Sequence, residues 1–566
     1  MLPEYRFFAE NAGGTVSRAA DRPSLQVSGD GFFAVWAHTP TLTLPPLAPA
    51  LTAAPDGYSI EQTPEALILR SASRRGVLYG LYAVQRGVTQ AWELPQSTFR
   101  ALHIDLRFGF WREEHWAELL DRIAALRYNT LLLETENRLP FQKHPSVTAP
   151  EHFTDESLRR FLALAADRFL EVIPLQQTLG HLEYVLKLPA YYPLREVREH
   201  PAEEPLFYTR LTGANHYHDF DEICPSDPQA CALAEDLLDD ALRLFPDSRY
   251  IHIGCDEAWN LLYCDNCRRR FPDKTHLLTA HLNRVAARVL EQGKTPILWD
   301  DMLRRMSVEE LKQLDPRIVV MSWLYFARHP EADAFLNRFA EAGLHVLGAA
   351  SAKCSIGTPE TLDLPDYDTR FGNMDWWASC CDRHGLPGFA VTVWSNYSGT
   401  IAPPHPLFDS AWLPIYYGAR RLWNHTVPRG AVLNDFCSDF FGVDIPLGGM
   451  SAGALLPVTE QLSREAVRAR GAAVLWHLSV LLSLYRLKSA AIGRELYRYR
   501  QPDLTAAERG LLDRRVGEVR RLRHALYPQA EHALQALYSE REARLFLDSR
   551  FLADDTLYGA LAPHID

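Results

Sequence analysis

The sequence predicts an α/β protein whose largest part is a (β/α)8 TIM barrel, with a small N-terminal α+β domain and a helical C-terminal region. Short apolar runs alternate with amphipathic helical stretches across residues 98–428. The runs are continuous in hydrophobicity, which is typical of parallel strands covered on both faces. Eight such strand–helix units over this length fit a closed barrel.

Residues 1–97 are predicted to form the N-terminal α+β domain. Asp56-Gly57 is a turn signal before a strand that begins at Tyr58, and a second strand-like run begins at Ala66. A helix is expected from Leu81 to Arg86, after a glycine-containing segment. Strands with a covering helix form a common small α+β unit.

The catalytic barrel is predicted to occupy residues 98–428. Its candidate strands are Ala101–Leu106, Thr130–Glu134, Val172–Gln176, Tyr250–Gly254, Pro296–Trp299, Ile318–Trp323, Leu344–Ala349 and Phe389–Trp394. A doubly wound open sheet is the alternative, but no Gly-x-Gly-x-x-Gly fingerprint follows any of these strands. Strand signals stop after Trp423, so residues 429–566 are predicted to be a helical region. Such a region can pair two subunits, which makes a homodimer one expected state.

The overall charge of the chain disfavours two classes of binding partner. The net charge is −12 and the isoelectric point is about 6.0, which disfavours nucleic acid and anionic membranes because phosphate binding needs clustered cations. We expect no signal peptide, since the first residues lack a basic region followed by an apolar run. With nine cysteines and no predicted signal, reduced thiols and a cytoplasmic location are expected.

The segment Tyr250–Trp259 holds the most informative motif. A buried strand ends at Gly254 and is followed by two adjacent carboxylates, Asp256 and Glu257. Two-carboxylate glycosidases place their acids on opposite sides of the scissile bond, about 5–5.5 Å or about 6.5–9.5 Å apart. Neighbours on one strand end cannot easily straddle that bond. They suit substrate-assisted catalysis, in which one carboxyl protonates the leaving oxygen and the other holds the substrate's 2-acetamido group.

Other predicted strand ends also carry acidic, histidine and aromatic side chains. In a barrel, the carboxyl ends of the strands form the active-site face. Any one of these residues is more often structural: a tryptophan fills the barrel core, and an aspartate caps the next helix. Their shared location favours a sugar pocket with stacking walls. They include Glu134, Glu136, His181, Trp299, Asp300, Asp301, Trp323, Tyr325 and Trp394.

Over about residues 1–425 the chain resembles glycoside hydrolase family 20, the β-N-acetylhexosaminidases. The spacing from His252 through Gly254 to Asp256-Glu257 matches the family's His-x-Gly-x-Asp-Glu element. The resemblance implies that Glu257 is the general acid and then the base for water. It implies that Asp256 orients the acetamide nitrogen and stabilises an oxazolinium intermediate.

The resemblance also implies a substrate pocket. Arg100 is expected to bind the sugar hydroxyls at positions 3 and 4, and Tyr325 is expected to donate to the acetamide oxygen. A pocket closed in this way implies exo action on terminal β-linked GlcNAc, GalNAc or both. The implied substrate-binding residues are Arg100, His181, Trp299, Trp323, Tyr325 and Trp394.

The segment Gln177-Thr-Leu-Gly-His181-Leu-Glu-Tyr184 resembles the hexosaminidase D branch of this family, and two other departures accompany it. The usual His-x-x-Asp element of the second strand is replaced by Glu134-Thr-Glu136, and Cys255 stands where the family usually has a second glycine. These changes leave the choice between gluco and galacto sugars open. The expected partner is a glycan or glycoconjugate that ends in an N-acetylhexosamine.

Three other interpretations of these residues are open. Cys264-Asp-Asn-Cys267 is a metal-like pair with Cys224, Cys255 and Cys354 as possible further ligands. Zinc normally takes four ligands and no second Cys-x-x-Cys exists, so the expectation is no metal and no cofactor. A barrel glycosidase with a protein nucleophile would use Glu134 or Glu136 against Glu257. A non-catalytic sugar-binding barrel would be expected to lack one of the acidic pair.

Overall fold

A computed structural model describes residues 24–28, 31–37, 47–64, 66–107, 109–198, 221–354, 363–395, 407–495 and 503–561. The rest of the chain, including residues 1–23 of the predicted N-terminal domain, lies outside the described residues.

The N-terminal domain is a five-stranded sheet in the order β1-β2-β4-β3-β5, and each neighbouring pair is antiparallel. Its strands are β1 (Ser24–Ser28), β2 (Gly31–Ala37), β3 (Tyr58–Gln62), β4 (Ala66–Ser71) and β5 (Ala91–Glu93). Its helices are α1 (Pro49–Ala53) and α2 (Arg74–Gln85). Helix α2 packs on the sheet through Val77 and Tyr79, which lie in one cluster with Leu69 and Ile60.

Helix α2 begins earlier than the predicted Leu81. The Ser73 hydroxyl accepts a hydrogen bond from the Gly76 amide and so caps the helix at its start. Gly76 lies so close to β4 that an added Cβ would be 1.9 Å from the Ser71 hydroxyl. The glycines therefore belong inside the helix, where they allow it to approach the sheet.

The central part of the chain forms a closed barrel of eight parallel strands, which confirms the predicted fold class. The strands are β6 (Phe99–Asp105), β7 (Thr130–Glu134), β8 (Glu171–Leu175), β9 (Tyr250–His252), β10 (Thr295–Trp299), β11 (Val319–Trp323), β12 (His345–Lys353) and β13 (Gly388–Val393). β13 pairs with β6 and closes the barrel.

Helices follow the strands around the barrel. They are α3 (Trp116–Ala125), α4 (Asp155–Ala166), α5 (Glu183–Leu186), α6 (Pro228–Leu244), α7 (Asp265–Arg270), α8 (Lys274–Glu291), α9 (Val308–Leu311), α10 (Ala332–Glu341), α11 (Tyr367–His384) and α12 (Trp412–Trp423). Alternate strand residues point inward and fill the barrel with apolar side chains such as Leu132, Ile173 and Met321. The barrel is therefore a packed core, and its chemistry lies at one end of it.

The chain ends in helices, as predicted. They are α13 (Arg429–Phe436), α14 (Ala452–Glu465), α15 (Arg470–Glu495), α16 (Ala506–Leu537) and α17 (Glu540–Leu561). Buried ion pairs join this region to the barrel, namely Arg138 with Glu542 at 2.6 Å and Arg550 with Asp363 at 2.7 Å. Among the described residues, no helix has the length and apolar character needed to span a bilayer.

Candidate active site

The turn that follows β9 carries the two adjacent carboxylates. Gly254, Cys255 and Glu257 all have positive φ, at 70°, 71° and 51°. Gly254 is required here, because a Cβ at this position would lie 1.9 Å from Oε1 of Gln177. The same oxygen accepts a hydrogen bond from the Cys255 amide. The strained turn thus presents both carboxylates at the carboxyl end of the barrel.

Asp256 is the buried member of the pair. Its Oδ1 accepts a hydrogen bond of 3.1 Å from Nε2 of Gln177, and its Oδ2 lies 3.3 Å from Nε2 of His181. Burial alone would raise the pKa of Asp256, but the charge of His181 and the two hydrogen bonds lower it below its ordinary value. Asp256 is therefore a fixed negative charge.

Glu257 is the accessible member, with 32% of its side chain exposed. Its Oε2 lies 3.3 Å from the same Nε2 of His181. Its backbone amide donates to Oδ2 of Asp301 at 2.9 Å. The two neighbouring carboxyls thus differ in environment, one enclosed and one open to an arriving substrate.

His181 joins the two carboxylates, and its Nδ1 lies 3.9 Å from Asp221. Burial disfavours the charged ring, but Asp256, Glu257 and Asp221 together raise the pKa of His181 well above its ordinary value. The preceding Gly180 allows this approach, since a Cβ there would be 2.6 Å from the carbonyl oxygen of Asp256. His181 is therefore a buried cation that offsets the negative charge of the pair.

Asp301 forms the far side of this cluster. Its carboxyl accepts hydrogen bonds from the Glu257 amide and, at 3.1 Å, from the Trp323 indole. Burial, followed by the nearby charge of Asp256, raises the pKa of Asp301 to about 7. Its neighbour Asp300 instead pairs with Arg304 and accepts from the Trp323 amide. Asp300 thus binds the backbone of Trp323 and Asp301 binds its indole ring, so the two aspartates fix the position of Trp323.

Aromatic rings build the remaining wall. Trp323 and Tyr325 lie 5.2 Å apart between ring centres, and the Trp394 indole donates to the Tyr325 hydroxyl at 2.9 Å. Trp299 packs 6.0 Å from Trp394 and is 1% exposed. The structure therefore brings Trp323, Tyr325 and Trp394 together as expected, and it places Trp299 beneath them as part of the barrel core.

Arg100 does not lie at this end of the barrel, and its expected role is wrong. It is the second residue of β6, so it stands at the amino end of the strand, and it is 1% exposed. It donates to Asp56 at 2.7 Å and to the carbonyl oxygens of Ser97 and Arg127. Arg100 is thus a structural residue between the barrel and the N-terminal sheet.

The arginine at the mouth is Arg107, two residues after the end of β6. Its guanidinium lies 2.5 Å from Glu136, 3.1 Å from Glu134 and 3.6 Å from Glu183. The sequence alone could have indicated Arg107, because the carboxyl ends of barrel strands face the active site and their amino ends do not. The sequence also indicates no role for Gln177 or Asp221, and it places Asp301 at a strand end without showing that it accepts from the Glu257 amide.

A matched pair of substitutions separates the two arginines. Arg107→Lys keeps a positive charge but loses the planar fork of donors. We expect it to raise KM and lower kcat/KM roughly 10- to 100-fold, and also to lower the melting temperature because the buried Glu134 and Glu136 lose donors. Arg100→Lys should leave KM unchanged and lower the free energy of unfolding by about 1–3 kcal/mol, because buried carbonyls lose their donors. Steady-state kinetics and thermal unfolding of both variants provide the check, and a KM effect from Arg100→Lys alone would contradict it.

Parts of this chain are similar to known proteins. Residues 98–356, from β6 to β12, match the family described as Glycosyl hydrolase family 20, catalytic domain. Hexosaminidase D of Bos taurus is 28% identical over 313 residues, which cover 53% of this chain and 84% of that protein. Hexosaminidase D of Homo sapiens is also 28% identical over 313 residues, but they cover only 60% of that protein.

Solved structures show the same fold. A chitobiase from Flavobacterium johnsoniae matches with a TM-score of 0.54 at 17% identity, over 90% of this chain and 80% of that one. A β-N-acetylhexosaminidase from Bacteroides fragilis matches with a TM-score of 0.53 at 20% identity, over 67% and 80%. At these identities the similarity establishes the architecture of the barrel.

Proposed function

We propose that this chain, whose residues 98–356 match the catalytic domain of glycoside hydrolase family 20, is an exo-acting β-N-acetylhexosaminidase that removes terminal β-linked GlcNAc, GalNAc or both with retention of configuration. The arrangement of Asp256 and Glu257 about His181 carries the proposal. It supplies one fixed charge and one accessible carboxyl from a single turn. That division suits a reaction in which the nucleophile belongs to the substrate.

In the first step, Glu257 gives its proton to the glycosidic oxygen as the bond to C1 breaks. The acetamide oxygen of the substrate attacks C1 and forms an oxazolinium ion. Asp256 accepts a hydrogen bond from the acetamide N–H and stabilises the positive charge of that ion. Gln177 and His181 hold the Asp256 carboxylate in place, so it need not reorganise during the reaction.

Tyr325 is suited to hold the acetamide oxygen. An indole N–H can only donate, so the Tyr325 hydroxyl accepts the bond from Trp394, and its own proton can be donated to the acetamide oxygen. Burial raises the pKa of Tyr325 well above its ordinary value, which keeps that proton on the oxygen. In the second step, Glu257 takes a proton from water, the water attacks C1, and the ring opens to give the retained sugar.

A protein nucleophile on the second strand is the alternative mechanism. Glu134 is fully buried, and its two oxygens are engaged by His103 at 3.1 Å and by Arg107 at 3.1 Å. Glu136 lies against the same arginine. A carboxylate held in this way is poorly placed to attack a sugar carbon, so we favour the substrate's acetamide as the nucleophile.

The substrate-assisted mechanism can be tested with three matched substrates. Nitrophenyl β-GlcNAc, β-GalNAc and β-glucoside carry the same leaving group, so a difference among them reports on the sugar. We expect hydrolysis of at least one N-acetyl sugar and almost none of the glucoside, which lacks the internal nucleophile. Equal hydrolysis of the plain glucoside would rule out the substrate-assisted mechanism.

Exo action is the second part of the proposal. We assign to Arg107 the hydroxyl-binding role that was expected of Arg100. Its guanidinium donors and the surrounding acceptors of Glu136 and Glu183 can together bind two sugar hydroxyls, each of which donates and accepts. A terminal ring held there leaves no exit for a chain extended from position 3 or 4. Time courses on a chito-oligosaccharide should show monosaccharide from the start, and early internal fragments without monosaccharide would contradict a closed pocket.

Two further properties stay predictions. The cytoplasmic location rests on the nine cysteines. The homodimer rests on the helical C-terminal region. Sedimentation of the purified protein would decide the second of these.

A further inference from the structure

We propose that Glu196, Cys224, Cys264 and Cys267 bind one structural Zn²⁺ ion. Their four ligand atoms, three Sγ and one carboxylate oxygen, all lie within 4.8 Å of one another. In structural sites, zinc is bound by four thiolate, imidazole or carboxylate ligands in tetrahedral geometry. This set supplies the full number from the protein.

The distances fit an ion at the centre of the cluster. Sγ of Cys224 lies 3.4 Å from Sγ of Cys264 and 3.6 Å from Sγ of Cys267, and Sγ of Cys267 lies 3.2 Å from Oε2 of Glu196. With Zn–S bonds of about 2.3 Å, tetrahedral geometry places two sulfurs roughly 3.8 Å apart. A disulfide bond would require about 2.05 Å, so the cluster is arranged for a shared ligand rather than for a cross-link.

Burial gives a second, independent argument. Glu196 is completely buried, as are Cys224 and Cys267. In the part of the chain that the structure describes, Glu196 accepts from the Cys264 amide and contacts the Cys267 thiol, but no Lys or Arg forms an ion pair with it. A buried carboxylate without a cation is costly. A divalent ion would offset its charge and that of the thiolates.

The local backbone also supports a metal site. Cys264 is the N-cap of α7, and its sulfur accepts a hydrogen bond from the Cys267 amide at 3.3 Å. Bonds of this kind orient the sulfur and stabilise its thiolate form. A backbone bridge between Arg195 and Ile223 brings the segments of Glu196 and Cys224 side by side. Three distant stretches of sequence are thereby held around one point.

This proposal departs from the sequence expectation of no metal. The Cys-x-x-Cys pair needed partners, and the structure supplies Cys224 and a carboxylate. The other two cysteines considered are placed elsewhere, since Cys255 contacts Thr178 and Cys354 contacts Arg370. A second Cys-x-x-Cys is therefore not required.

The expected role of the ion is to fasten two loops at the mouth of the barrel. Cys224 lies three residues after Asp221, which faces His181, and Cys264 lies seven residues after Glu257. Glu222 already joins these loops by accepting from the Asn260 amide. All four ligands come from the protein, so the ion has no open position for substrate and acts on structure alone.

The test begins with the intact protein purified without added metal. Native mass spectrometry and elemental analysis should find roughly one zinc per chain. Zn²⁺ added to chelator-treated protein should bind with release of protons and raise the melting temperature. Because these readouts do not use substrate, they are independent of the proposed glycosidase activity.

Variants locate the site. Cys264→Ser and Cys267→Ser should each lose most of the zinc, whereas the matched control Cys231→Ser should keep it. Cys231 is also buried and lies on α6, but its thiol contacts the Pro225 carbonyl and Arg284. If the two variants fail to fold, wild-type thiols that become reactive only after chelation would support the site. Wild type that binds neither native nor added Zn²⁺, or that carries a disulfide among these cysteines, would overturn the proposal.

Discussion

Glu257→Gln is expected to lower turnover by roughly 10²-fold or more while the protein stays folded, because the glutamine cannot donate a proton to the leaving oxygen. The side chain is about one-third exposed and touches His181, so the substitution changes little packing. The loss should shrink for aryl glycosides with very good leaving groups, since they need little protonation. A series of nitrophenyl and phenyl substrates measures this dependence.

A matched control exists at the other end of the barrel. Glu171 is the first residue of β8, and its carboxylate pairs with the exposed Arg249. Glu171→Gln makes the same chemical change far from the mouth; its partner Arg249 is exposed, and the glutamine oxygen can still accept from the Arg249 amide, so we expect a small effect on stability. We expect wild-type turnover from this variant. A Glu257→Gln enzyme that is as active as the control would exclude Glu257 as the general acid.

Asp256→Asn should lower turnover by a comparable factor, but for a different reason. Asp256 is a buried carboxylate whose pKa is lowered by His181 and Gln177, so it carries its charge throughout the reaction. The amide cannot stabilise the positive oxazolinium ion, and it leaves the His181 cation without one of the two carboxylates that lie 3.3 Å from its Nε2. Losing one such electrostatic contact costs roughly 10²- to 10³-fold in turnover.

A thiazoline analogue of the oxazoline intermediate separates the two carboxylates. It should inhibit wild type strongly and Asp256→Asn far less, because the analogue depends on the charge of Asp256. Glu257→Gln should still bind it, since Glu257 acts on the leaving group. If wild type does not bind the analogue at all, the intermediate is not an oxazolinium ion and the proposed mechanism fails.

The barrel and its acidic pair could be predicted because both produce local patterns in the sequence. Buried parallel strands read as continuous apolar runs, and β7 was placed at its observed bounds. Asp256 and Glu257 are adjacent, so a single strand end fixes both. Pocket residues that are contributed one to a strand, such as Trp323 and Trp394, followed from applying the same rule to each strand.

The errors have physical causes as well. Arg100 was assigned the pocket role although it lies at the amino end of its strand, whereas Arg107, which follows the carboxyl end of that strand, was given no role. Asp221 and Glu196 lie in irregular loops, where no sequence periodicity predicts which side chains come into contact. Cys224 and Cys264 are 40 residues apart, and only the folded chain shows that their sulfurs are 3.4 Å from each other. Contacts between loops depend on tertiary structure, which spacing alone does not encode.

The ion pair between Arg100 and Asp56 has a consequence for how this chain can be divided. Asp56 belongs to the N-terminal segment, and the partner that it neutralises is inside the barrel wall. Cutting the gene at residue 97 would leave a buried guanidinium with no counter-charge. The N-terminal segment thus supplies the counter-charge of a buried barrel arginine, and a recombination that exchanged one part without the other would yield a less stable product.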